Sequence, residues 1–198
     1  MSISQKIYGW FNNQSVVNNN TIVDEKYIQQ LITFQSNPSD INQIVLSLYN
    51  SLTEVDTGQG KRRLPPEIDV KIAFNQVISY KLLIEASFSE NSYFLDAAYD
   101  ALDSDTPGRK KTVLNYLNIL YLTVLGEKMK DNPNLDKIEV VRANSDNILF
   151  EVINRLLMRV SKNLNGITHI PTESIEITVI AIVCHAFVDC KILENPNK

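Results

Sequence analysis

Between Glu173 and Val188 the sequence leaves almost no polar face. Ile175, Ile177, Val179, Ile180, Ile182, Val183, Ala186, Phe187 and Val188 fall on nearly every side of a helix, whereas a surface helix keeps its apolar residues in one stripe. Such a helix must be covered all round, by the rest of its own domain or by a partner protein. The segment then closes on a more polar tail, Cys190, Lys191, Ile192, Leu193, Glu194, Asn195 and Pro196.

Helices able to supply that cover are legible upstream. Asp24 is placed to cap a helix carrying Tyr27, Ile28, Leu31 and Ile32. The run Asn37-Pro38-Ser39-Asp40 has the form of a cap, a first-turn proline and a reciprocal acid ahead of Ile41, Ile44, Val45, Leu48 and Tyr49. Residues 24–55 are therefore expected to form a helical hairpin. Residues 56–66, with Gly58, Gly60 and the pair Pro65-Pro66, read as a linker and domain boundary. Beyond it, residues 67–198 form the main helical domain. Its periodicity predicts helices over 67–88, 89–102, 109–129 and 138–158 before the closing one, with Thr106-Pro107 as cap and first-turn proline of the third. The expected class is all-α: a multi-helix bundle with a buried C-terminal helix.

Residues 1–23 depart from this pattern. Asn12, Asn13, Asn18, Asn19 and Asn20 alternate with apolar residues such as Ile7, Trp10, Phe11, Val16 and Val17. Asparagine disfavours helix interiors, and its amide suits turns or stacked ladders between identical strands. A short asparagine-rich N-terminal arm is expected, flexible or in short strands. Asn18, Asn19 and Asn20 are its candidates for homotypic contact in a homo-oligomer.

A chain of 198 residues can bury a core without a cofactor or a disulfide. Its formal charge of −4 gives no overall attraction to phosphate, so nucleic acid is expected to be contacted weakly or indirectly. The start lacks the apolar run of a signal peptide, and no stretch approaches the roughly 18 apolar residues of a spanning helix. A cytoplasmic protein with no membrane partner is the expectation.

The reactive residue types form no catalytic constellation by spacing. Cys184, His185 and Cys190 diverge around a helix and do not converge on a tetrahedral ion. Pairing either cysteine with His169 lacks an electropositive setting to lower a thiol pKa. Gly58 and Gly60 precede Lys61 without the order of a phosphate loop. Asp96, Asp100, Asp103 and Asp105 lack calcium-loop spacing and are expected as solvated acids before a turn. No catalytic residue, metal or cofactor is expected. Two basic triplets, Lys61-Arg62-Arg63 and Arg109-Lys110-Lys111, offer an alternative role as a nucleic-acid-contacting subunit, and a small helical toxin or effector is a further alternative.

Leu64-Pro65-Pro66, Ile72-Ala73-Phe74-Asn75, Lys110-Lys111 leading into Leu114–Tyr121, and the ending Ala186–Pro196 together resemble the C-terminal domains of bacterial ABC-three-component conflict systems, the group that includes Lamassu-like antiphage defence. The resemblance covers roughly residues 64 to 196, and its most specific piece is Cys190–Pro196. It implies a non-enzymatic accessory or assembly subunit that binds a middle component or an SMC-like ATPase. It assigns Cys190, Lys191, Ile192, Leu193, Glu194, Asn195 and Pro196 to partner contact. The N-terminal stretch is similar to asparagine-rich leaders on conflict-system proteins. A nuclease or other toxic domain, which a full effector would carry, has no counterpart in these residues.

Overall fold

The computed structural model describes residues 39–53, 62–164, 170–189 and 191–196. By compactness the chain divides into Met1–Pro38 and Ser39–Lys198, and every described residue belongs to the second unit. The expected N-terminal arm, with Asn18, Asn19 and Asn20, lies outside the described residues, as do Cys190 and His169.

Among the described residues the unit is an all-α bundle of six helices: α1 Asp40–Thr53, α2 Pro66–Phe74, α3 Lys81–Asp105, α4 Arg109–Asp131, α5 Lys137–Leu164 and α6 Thr172–Val188. The closing helix α6 is the centre, packed against α1, α3, α4 and α5. Seven consecutive residues, Ala181 to Phe187, are buried. Two full turns cannot be buried in succession unless neighbours stand on every side. The first turns keep one open side, where Glu173, Glu176 and Ile177 are exposed.

Helix α1 packs on α3 and α6 and also reaches α4 and α5. Ile44, Val45 and Leu48 are buried in the common core. The compact unit therefore begins at Ser39, and Asp40–Thr53 is one of its layers, where the sequence had suggested a hairpin set apart by the 56–66 linker. Arg109 ties the start of α1 to the start of α4 through Asp40, at 3.0 Å from Nε and 2.6 Å from Nη2.

Two helix boundaries differ from the periodic reading. The expected helix over 67–88 breaks after Phe74, and α3 runs unbroken through Ser89 to Asp105. The break is a Schellman turn: the Gln76 N–H donates to Ala73 O and the Val77 N–H to Ile72 O, with Gln76 at φ 54°. Val77 and Ile72 are both buried, which supplies the apolar contact that accompanies this turn. No glycine marks the site, so apolar spacing carried across it. The new helix start is stabilised from outside, because the Asp146 carboxylate of α5 accepts the N–H groups of Ile78, Ser79 and Tyr80 at 2.9 to 3.4 Å.

The turn after α3 also shifts. Thr106 ends α3 in an extended conformation, and α4 starts at Arg109 behind Gly108 at φ 92°, so Pro107 is not in the first turn. Asp103 accepts the Lys110 N–H at 2.8 Å and Asp105 pairs with Arg109 at 2.9 Å. These acids hold the turn, beyond the solvated role expected of them. The polar break before α5 closes as a reciprocal cap, with the Glu139 N–H on Asp136 Oδ1 and the Asp136 N–H on Glu139 Oε2.

Candidate functional site

The C-terminal end of α6 is where the chain's buried polar chemistry gathers, on two flanks. On one flank the tail folds back onto the bundle. The Lys191 N–H reaches Ala186 O at 2.9 Å, and Ile192 and Leu193 are buried in the core. Leu193 has φ 59°, a left-handed conformation that a leucine adopts only when its surroundings impose it.

Helix α2 provides those surroundings. Ile68, Lys71, Ile72 and Asn75 recur at i, i+3, i+4 and i+7 and are all buried. Lys71 Nζ donates to Phe187 O at 2.5 Å and to Ile192 O at 2.8 Å, and lies 4.3 Å from the centroid of the Phe187 ring. Asn75 Nδ2 donates to Glu194 O at 2.8 Å while Asn75 Oδ1 accepts the Glu194 N–H at 2.9 Å. The amide thus pairs with both backbone groups of Glu194 and pins the residue after Leu193. The Glu194 carboxylate accepts Tyr121 Oη at 2.7 Å and pairs with Lys137 Nζ at 2.8 Å. Burial raises the Glu194 pKa, but Lys137, Tyr121 and the nearby charge of Lys71 outweigh it and hold the carboxyl below the usual range.

On the other flank His185 is 5% exposed. Its Nε2 stands 3.3 Å from Asp96 Oδ1 and its Nδ1 3.7 Å from Asp189 Oδ2. The ring lies between Phe88, stacked at 6.5 Å, and Tyr99, tilted at 5.4 Å. Asp96 also accepts Arg62 Nη1 at 2.5 Å. Burial pushes the Asp96 pKa up, yet the Arg62 hydrogen bond and the charges of His185, Arg62 and Lys110 leave it lowered. Tyr99 is fully buried, and burial with the nearby charges of Asp189 and Asp96 raises its phenol pKa. Its hydroxyl, the Ser92 hydroxyl and His185 Nδ1 have no hydrogen-bond partner among the described residues.

Among the described residues this arrangement does not assemble a nucleophile and a base. Burial pushes the Cys184 thiol up to about 12, so it keeps its proton at neutral pH and is not poised to attack. Among the described residues no group of three His, Cys, Asp or Glu side chains is placed to hold a metal ion. No helix among them is long and apolar enough to cross a membrane. Of the tail residues assigned to partner contact, Ile192 and Leu193 lie inside the chain's own core, while Lys191, Glu194, Asn195 and Pro196 are half-buried at its rim. Of the basic triplets, Arg62 is paired with Asp96 and Arg109 with Asp40 and Asp105, and Lys110 Nζ sits 5.0 Å from the Tyr99 ring centroid.

Sequence reasoning missed Lys71 and Asn75. A signal was present, since both occupy positions of the α2 stripe that would ordinarily be apolar. Nothing local indicated that their acceptors lie more than 110 residues away. No family model, curated protein or solved structure matches the chain.

Proposed function

We infer that this chain is a non-enzymatic accessory or assembly subunit that works by protein contact, within a bacterial defence complex built on an SMC-like ATPase and a middle component. The observation that carries this reading is the tail clamp. The segment most specific to the resemblance is fastened at Ile192 and Glu194 by Lys71 and Asn75, and Lys71 also bonds Phe187 O at the end of α6. A segment held in one conformation presents Lys191, Asn195 and Pro196 as a preformed edge, which lowers the ordering cost of binding. Large apolar side chains also stand in solvent, among them Ile78, Leu82 and Ile119 at 78%, 75% and 60% exposure, the kind of group that contact surfaces use. The commitment of Arg62 and Arg109 to internal carboxylates favours this reading over nucleic-acid binding through the basic triplets.

The test is co-expression of the full chain with the products of its neighbouring genes, followed by co-purification and mass measurement of the assembly. A defined stoichiometric complex is expected. A chain that stays monomeric beside every neighbour overturns the reading.

A further inference from the structure

The outward face of α4 has the features of a docking surface. Leu117, Tyr121 and Val124 are buried on its inner side, and Tyr116 and Glu127 turn toward α5, where they meet Arg159 and Arg155. At 100° per residue the opposite side carries Lys111, Ile119, Leu122, Gly126, Met129 and Lys130 within one outward sector, with the exposed polar Thr112 and Asn115 in the turn after Lys111. Ile119, Leu122 and Met129 are 60%, 46% and 37% exposed.

Gly126 sits inside this strip, in the interior of a 23-residue helix, where glycine is among the poorest residues for helix stability. A Cβ built there meets nothing within 4 Å. Packing within the described residues therefore gives no reason for glycine, whereas a missing side chain lets a second helix approach the backbone closely.

Charge narrows what that helix is. The one acid between Lys111 and Lys130 is Glu127, which is turned away and paired with Arg155. The face is thus apolar from Ile119 to Met129 and bounded by a lysine at each end, Lys111 and Lys130 being about 28 Å apart at 1.5 Å per residue. Two copies of the face would set lysine against lysine in either the parallel or the antiparallel orientation. We propose that the outward face of α4 receives an amphipathic helix of another protein, apolar along its middle and acidic toward both ends, packing closest at Gly126. This rests on the assembly reading above and specifies the partner's chemistry.

The experiment compares the full chain with four variants in complexes reconstituted from co-expressed neighbouring gene products. Gly126→Leu is expected to weaken association at least tenfold, and the double reversal Lys111→Glu with Lys130→Glu by a similar factor. Gly126→Ala separates this role from a structural one: the free chain should melt at a higher temperature while the complex weakens. Met158→Asp, at an exposed position on α5, should leave association unchanged. If a complex forms and the α4 variants all bind as the parent chain does, the α4 site is overturned and the assembly reading stands. If the parent chain binds no neighbour, both fall. If it sediments as a dimer that the α4 variants dissociate, the occupant is a second copy and the proposed partner chemistry is wrong.

Discussion

The two flanks of the α6 C-terminus use similar residue types to opposite effect. Toward α2, Lys71, Asn75, Tyr121, Lys137 and Glu194 form one connected set in which amide, ammonium, phenol and carboxylate all have partners. Toward α3, His185 Nε2 and Asp96 make one longer contact at 3.3 Å, His185 Nδ1 stands 3.7 Å from Asp189, and among the described residues Nδ1 and the Tyr99 and Ser92 hydroxyls are buried without a hydrogen bond. A satisfied network can hold a backbone in an unfavourable conformation, and Leu193 at φ 59° is the case in point. A partly satisfied cluster cannot specify geometry in this way. It is held by ring packing and by the Arg62–Asp96 pair at its edge, and its buried polar atoms are a net cost.

The contrast is broken most directly at Lys71. Lys71→Ala removes the ammonium that donates to the Phe187 and Ile192 carbonyls and opens a cavity at a residue 1% exposed. A loss of about 3–5 kcal/mol is expected by urea denaturation, with increased amide exchange beginning at the tail. A loss under about 1 kcal/mol would show that the clamp does not hold the tail. Next in size is Asp146→Ala, which removes the acceptor for three N–H groups at the start of α3. It should cost about 2 kcal/mol, read by thermal melting, and Asp146→Asn should recover part of it.

A matched pair of tyrosines sharpens the comparison further. Tyr121→Phe deletes a hydrogen bond to a carboxylate and should destabilise by about 1.5 kcal/mol. Tyr99→Phe deletes a buried hydroxyl that has no partner and should be neutral or slightly stabilising. Equal losses at the two positions would erase the distinction between the flanks.

The smallest expected loss of stability is in acid. The Glu194 carboxyl is held below its ordinary 4.5 in the folded chain, so its contribution is present above that pH and is lost as pH falls through the lower folded value. Glu194→Gln should flatten that part of the stability profile between the two values. The change should stay under about 1 kcal/mol, because the site is partly open to solvent and screened. An unchanged acid limb would place the pH dependence elsewhere, with Asp96, also lowered, as the next group to replace.

How far the fold was legible follows from how local each signal is. Ile44, Leu48, Leu117, Val152 and Val179 are helix-periodic in sequence and buried in the bundle, because a 3.6-residue repeat requires only near neighbours. The break at Asn75–Tyr80 was hidden for the same reason. It depends on Gln76 in a conformation usually taken by glycine and on Asp146 reaching in from α5. The site was less legible still. In sequence His185 stands out only as a helical neighbour of Cys184, and its partners Asp96 and Asp189 lie 89 residues before it and one turn after it.

The sequence by itself determined the helical class and the need to cover most of the closing helix, since its apolar residues leave little polar face for water, though Ile177 stays exposed in its first turns. The tertiary structure decided that the cover comes from α1, α3, α4 and α5 of the same chain. It also decided that the tail is fastened inward by a buried lysine and an asparagine. Which buried donor meets which distant carbonyl is fixed by the packing of the helices, and no spacing along the chain encodes it.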